Sequence, residues 1–206
     1  MGFPKALLRY REESFLDTLI GLFAARCQPV VVVLGAHAER IREGTLRPAV
    51  FAINADYQRG QTSSMQCGLR AVPDGAESVL FTLVDHPAVA PATLDALVAG
   101  RLQAHSLTGR PLDRAPNGEM RLQAGVDRLK PVPLLRVPRH QGRCGHPIWF
   151  SRELIAEFLG LPENGAAREI VRSHAAQTEF LDVDDAGILA DIDDAEAYGR
   201  LTGAPL

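Results

Sequence analysis

Val30-Val31-Val32-Val33-Leu34-Gly35 decides the fold of this chain. Five consecutive aliphatics, four of them β-branched, read as a strand with no solvent face, the mark of a parallel sheet covered on both sides. Gly35 ends that strand and residues 36–43 form a short helix. Upstream, Ser14 to Cys27 places Phe15, Leu16, Leu19, Ile20, Leu22 and Phe23 at helical spacing behind Ser14 as N-cap. Downstream, Val50 to Ile53 is a second strand closed by Asn54, and Gln61 to Val72 is a helix opening on Thr62-Ser63-Ser64. Val79 to Val84 is a third buried strand, stopped by Asp85-His86-Pro87, and Pro91 to Leu102 is a helix with proline in its first turn. Strand and helix in alternation predict a doubly wound α/β fold with a mostly parallel sheet. The strands at 30–34, 50–53 and 79–83 are expected to be neighbours in that one sheet. Ligands of such sheets lie beyond the carboxyl ends of the strands, which singles out Gly35, Asn54 and Asp85.

The pattern fades between His105 and Val132, where glycines and prolines alternate with Arg110, Arg114, Arg121, Arg128 and Lys130. This excursion is read as a long irregular loop, its charges either a solvated surface or a cover for an anionic substrate. Order returns with a strand at 133–137, helices at 152–159 and 166–174, and a strand at 178–183. A final helix follows the acidic cluster Asp191-Ile192-Asp193-Asp194, whose carboxylates suit a helix start.

The chain has 206 residues, 46% hydrophobic and 23% charged, so one domain spanning 1–206 with an ordinary core is the expectation. Twenty-two basic against twenty-five acidic side chains leave a net charge of −3, which argues against a nucleic-acid partner. No apolar run approaches the roughly 20 residues of a membrane span. The N-terminus has no signal-peptide pattern. Three widely spaced cysteines, Cys27, Cys67 and Cys144, form neither a disulfide framework nor a metal knuckle, and fit thiols in the cytoplasm.

Five short stretches carry chemistry. Gly2-Phe3-Pro4-Lys5 presents one ammonium on a constrained turn, suited to a phosphate, although a surface lysine beside proline is commonly only that. In Asn54 to Leu69, a strand end, a loop with Gly60 and a helix opening on Ser63-Ser64 offer backbone N–H groups and hydroxyls to an anion or a ribose, or simply cap the helix. Asp85, directly after a buried strand, can hold a hard cation or cap a turn. Gly142 to Phe150 places His146 in a tight loop before an aromatic strand. Asp191-Ile192-Asp193-Asp194 can supply a second carboxylate for the same cation or serve as helix caps.

Together and in this order, GFPKALL at 2–8, VVVVLGAHAE at 30–39, NADYQRGQTSSMQCGL at 54–69, LVDHP at 83–87, GRCGHPIWF at 142–150 and DIDDAEAY at 191–198 resemble the MobA-like NTP transferase family. The Gly-His-Pro element and the paired serines resemble its molybdenum-cofactor cytidylyltransferase branch more than its guanylyltransferase branch. The resemblance implies a Rossmann-like fold of the nucleotide-diphospho-sugar transferase type, Mg2+, and transfer of a nucleoside monophosphate, CMP from CTP, to a phosphorylated acceptor such as molybdopterin, with a molybdoenzyme as possible partner. It makes Lys5 the phosphate-binding lysine, Asp85 and Asp193 the metal ligands, and Lys5 and Asp85 the catalytic pair. Gly35, Asn54, Gly60, Ser63 and Ser64 become the nucleotide side, and His146 the acceptor side. Two alternatives stay open: a nucleotidyltransferase acting on a sugar phosphate, and a non-catalytic protein that holds nucleotide or cofactor for a partner. Family members carry a strand and a Leu-Ala-Ala-Gly-x-Ser-x-Arg-Met segment ahead of Gly-x-Pro-Lys, whereas this sequence opens at that Met. The expectation is a chain lacking the first central strand and weak toward triphosphate. Asp85-His86-Pro87 carries His where Gln is commoner.

Overall fold

The computed structural model describes residues 3–105, 113–114, 120–121 and 132–203. A turn of 3-10 helix at Lys5–Leu7 leads into a small hairpin, β1 (Arg9–Tyr10) with β2 (Glu13–Ser14). Helix α1 (Phe15–Ala24) starts where expected: Ser14 Oγ accepts from Asp17 N at 3.0 Å. Then come β3 (Val31–Leu34), α2 (Ala38–Gly44), β4 (Val50–Ile53), α3 (Gln61–Arg70), β5 (Ser78–Phe81) and α4 (Pro91–His105). Most of the 105–132 excursion lies outside the described residues; within it, β6 (Asp113–Arg114) pairs with β7 (Met120–Arg121). The remainder is β8 (Leu135–His140), β9 (Arg143–Cys144), β10 (Ile148–Ser151), α5 (Ile155–Leu159), α6 (Ala167–Ser173), β11 (Thr178–Asp182) and α7 (Ala195–Thr202).

The main sheet has the order β11-β8-β10-β5, with β9 beside β8. β11 runs parallel to β8, and β10 runs antiparallel to both β8 and β5. Hence β5, β8 and β11 point one way and β10 and the short β9 point the other, so most strands of this α/β sheet, three of five, run parallel to one another. Side chains alternate across it. Leu135, Val137, Ile148 and Phe150 face α3, α5 and α6, while Arg136 and Trp149 face the other side. There the buried Arg136 guanidinium donates to Leu97 O of α4 at 3.0 Å and lies 4.7 Å over the Trp149 ring.

One expectation is corrected. The strands at 30–34, 50–53 and 79–83 do not share one hydrogen-bonded sheet: β3 pairs with β4 in parallel, and β5 pairs with β10. Between β3 and β5 lies a cavity of about 710 Å³, lined by Val30 to Val33 on one wall and Val79 to Val84 on the other. Leu16, Leu19, Ile20 and Phe23 of α1 and Met65, Gly68 and Leu69 of α3 close it above and below. Val31, Val32 and Val33 are therefore half-buried, although their sequence suits burial on both faces. Among the described residues no helix is long and apolar enough to cross a membrane.

Candidate functional site

The carboxyl ends of the strands gather the candidate residues. Asp85 follows β5 by four positions. Because β10 runs against β5, with Ile148 opposite Phe81, residues just before β10 lie beside residues just after β5. That places His146 at the same edge, its ring 4.9 Å from the His86 ring and 6.2 Å from Phe81. Gly145 permits the approach: a Cβ there would sit 2.2 Å from Ile188 O, and His146 N donates to that carbonyl at 3.0 Å.

The acidic segment reaches the edge through the backbone, Ile192 N donating to Asp85 O at 3.1 Å. Its three carboxylates divide their work. Asp194 caps α7, accepting from Ala197 N at 2.7 Å. Asp193, largely exposed, accepts from Lys5 Nζ at 2.6 Å. That hydrogen bond holds the Asp193 carboxyl below its ordinary pKa. Asp191 is pushed the other way, by burial first and then by the Asp85 and Asp193 carboxylates.

Of the two residues read as metal ligands, Asp85 sits in a cluster with His86 and Asp191, each offering a ligand atom within 4.8 Å of the others. Asp193 instead meets the Lys5 ammonium. Three buried side-chain atoms here have no hydrogen-bond partner among the described residues: Asp85 Oδ1, His86 Nδ1 and His146 Nδ1. Burial, and then the neighbouring His86, lower the His146 pKa to about 4. A carboxylate oxygen left bare in a buried site fits a cation better than a structural role. His86 is the residue the sequence reading passed over; its signal was its place directly after Asp85 at a strand end.

The second half of the edge is the loop from Asn54 to Ser64. Buried Asn54 donates through Nδ2 to Ser63 Oγ and Ser64 Oγ, both at 3.0 Å, and accepts from Asp56 N. Ser63 Oγ donates back to Gly60 O at 2.8 Å, where Gly60 turns the chain at φ 98°. Asn54, Gly60, Ser63 and Ser64 thus form one network, whose bonds to one another shape the loop and the start of α3. Gly35 packs against this loop: a Cβ there would lie 2.5 Å from Tyr57 Cβ. Ser64 and Asp85 line the same cavity, so the loop and the acidic cluster open on a common space.

Residues 1–178 match the model of the MobA-like NTP transferase domain. No curated protein matches the chain at a significant level. Among solved structures the chain is similar to Rv0371c from Mycobacterium tuberculosis H37Rv, with 25% identity and a TM-score of 0.76 over 99% of this chain and 91% of that one. A manganese complex of the same mycobacterial protein aligns with 24% identity and a TM-score of 0.73, over 98% of this chain and 92% of that one. Molybdopterin-guanine dinucleotide biosynthesis protein A from Archaeoglobus fulgidus shares the fold, with a TM-score of 0.61 and 13% identity over 98% of this chain and 90% of that one.

Proposed function

Since the chain belongs to the MobA-like NTP transferase family, we propose that it transfers CMP from CTP to a phosphorylated acceptor, molybdopterin, with release of pyrophosphate. The observation that carries this reading is the convergence of Lys5, Asp85, Asp191 and Asp193 beside the Asn54–Ser64 loop at one sheet edge.

A terminal phosphate oxygen of the acceptor attacks the α-phosphorus of the triphosphate. A new P–O–P link forms, and the bond between the α-phosphorus and the bridging oxygen to the β-phosphorus breaks. The attacking phosphate is already anionic, so the chain needs no dedicated base and acts by placing charge and holding groups in line. Lys5 meets the phosphates as a point charge, oriented by Asp193. Asp85 and Asp191 would hold a divalent cation, Mg2+ on the family expectation, which would supply neutralisation of phosphate charge. The manganese in the mycobacterial neighbour's structure supports a divalent-cation reading. Loop residues Gly60, Ser63 and Ser64, braced by Asn54, take the nucleotide side, and His146 the acceptor side. The cysteines, all thiols, support a cytoplasmic setting.

The test is pyrophosphate released per enzyme from each of the four common ribonucleoside triphosphates, with and without molybdopterin. CTP with acceptor is expected to give the largest release. No release with any of the four overturns the enzymatic reading.

A further inference from the structure

We propose that His86 is a third protein ligand in the Asp85–Asp191 cation site, and that it turns the site's preference from Mg2+ toward a first-row transition cation of the Mn2+ and Co2+ class. The inference rests on the reading of this edge as a cation site and adds the identity of the donor set.

The geometry comes from a buried carboxylate oxygen and an imidazole nitrogen too far apart to satisfy one another. The His86 side chain is only 8% exposed, and its Nε2 lies 3.7 Å from Asp85 Oδ1. That is too long for a hydrogen bond. Among the described residues Asp85 Oδ1 has no hydrogen-bond partner, and neither has Nδ1 on the far side of the same ring. A buried polar group left unpaired costs on the order of 1–3 kcal/mol in general, so a bare carboxylate oxygen facing an imidazole nitrogen across a gap calls for something between them. Ligand bonds to a divalent cation are about 2.1 Å, so one ion can touch two atoms 3.7 Å apart. Asp191 brings the third donor within 4.8 Å of both. It reaches the gap from a separate part of the chain, anchored by the Ile192 N to Asp85 O hydrogen bond.

The chemistry of that set selects the ion. Mg2+ keeps to oxygen ligands and retains its waters, whereas an imidazole nitrogen adds affinity for first-row transition cations, less for Mn2+ than for Co2+. Two carboxylates with one imidazole leave further positions open, as a site that must also admit phosphate oxygens requires. His146 is not placed in this ligand set. It packs against the His86 ring at 4.9 Å between centroids and fixes that ring's position.

The test is metal binding by the whole chain without nucleotide. Mn2+ is followed by electron paramagnetic resonance, Co2+ by visible absorption, and Mg2+ by competition against Mn2+. Wild type is expected to bind Mn2+ at least tenfold more tightly than Mg2+, with 14N modulation from one imidazole in the pulsed spectrum. His86→Gln is expected to remove that modulation and weaken Mn2+ and Co2+ by about tenfold, the scale on which altering groups around a metal acts, with Mg2+ changed less than threefold. His146→Gln is expected to keep the modulation, and Asp191→Asn to weaken Mn2+ and Mg2+ alike. Unchanged Mn2+ affinity in a folded His86→Gln, a modulation that survives it, or no Mn2+ binding by wild type overturns the proposal. Because no nucleotide is present, a chain that binds Mn2+ in this way but releases no pyrophosphate loses the transferase reading and keeps the metal site.

Discussion

Lys5 Nζ and Asp193 Oδ1 meet at 2.6 Å across 188 positions of sequence, joining the first turn of the chain to the segment before its last helix. The contact divides the acidic cluster: the carboxylate that meets the ammonium is not the one that clusters with Asp85 and His86. Asp193 is exposed, so the pair contributes little to folding. Its consequence is placement of the ammonium.

Asp193→Asn and Asp191→Asn are therefore expected to separate. The first frees Lys5 from its anchor. Pyrophosphate release should fall several-fold through weaker triphosphate binding, with metal affinity and melting temperature near wild type. The second removes a cation ligand and should lower metal affinity and turnover together. Titrations with Mn2+ and with CTP on both variants check this. Equal loss of metal affinity in the two returns Asp193 to the ligand set.

His146 gives a pH dependence whose sign follows from its burial. Its folded pKa is about 4, below an unfolded value of about 6.5. Between those values the unfolded chain binds a proton that the folded chain refuses, so stability is full above about pH 6.5 and falls as the pH drops toward 4. At about 1.4 kcal/mol per unit, the loss from this group approaches about 3 kcal/mol at the acid end. Urea midpoints at pH 7.5, 5.5 and 4.5, with chelator present, should fall more steeply for wild type than for His146→Gln. Parallel profiles would show that the imidazole is solvated.

Gly145→Ala tests how the His146 loop is held. The added methyl would stand 2.2 Å from Ile188 O, and a backbone carbonyl cannot yield as a flexible side chain can. The variant is expected to lose roughly 3 kcal/mol, the upper end for overpacking, with His146 displaced from His86. Chemical denaturation measures the loss, and a wild-type midpoint would contradict the close approach.

Local elements were legible because local chemistry sets them. Ser14 caps α1, β4 covers residues 50–53 as read, and α3 starts at Gln61 behind Gly60. The site edge was legible for a related reason: a polar residue straight after an apolar strand has nowhere to go but the carboxyl end of the sheet. What escaped was pairing at long range. Nothing in Asp191-Ile192-Asp193-Asp194 tells which carboxylate caps the helix, which meets a lysine 188 positions away and which joins Asp85 and His86, since three acids in four residues share one local pattern. His86 escaped because a buried imidazole and a turn histidine look alike until the ring's neighbours are known. The aliphatic run at Val30–Leu34 predicted full burial, but among the described residues β3 has a strand neighbour only in β4, and Val30 to Val33 open on the cavity.

That half-buried wall leads to the last expectation. Among the described residues β3 pairs only with β4 and β5 only with β10, and both line the cavity of about 710 Å³ between them. Two strand edges that face one apolar space offer it backbone donors and acceptors, and a strand pairing with both would lie about 4.8 Å from each. The mouth of the space lies near the start of the described chain: Ala6 packs in one cluster with Leu34, at the end of β3, and Val84, just beyond β5. An apolar segment of five or six residues joined ahead of Met1 is thus expected to enter as a strand parallel to β3 and β5, with its carboxyl end leading into Phe3. Each methylene it brings out of water adds about 0.8 kcal/mol, so the melting temperature should rise by several degrees. Amide exchange should slow at Val31–Leu34 and at Ser78–Phe81 together, because one strand would close both edges. The same extension with alternate residues changed to aspartate should do neither. Slower exchange on one strand alone would mean docking on an edge without insertion, and no change on either would show that the cavity does not accept a strand.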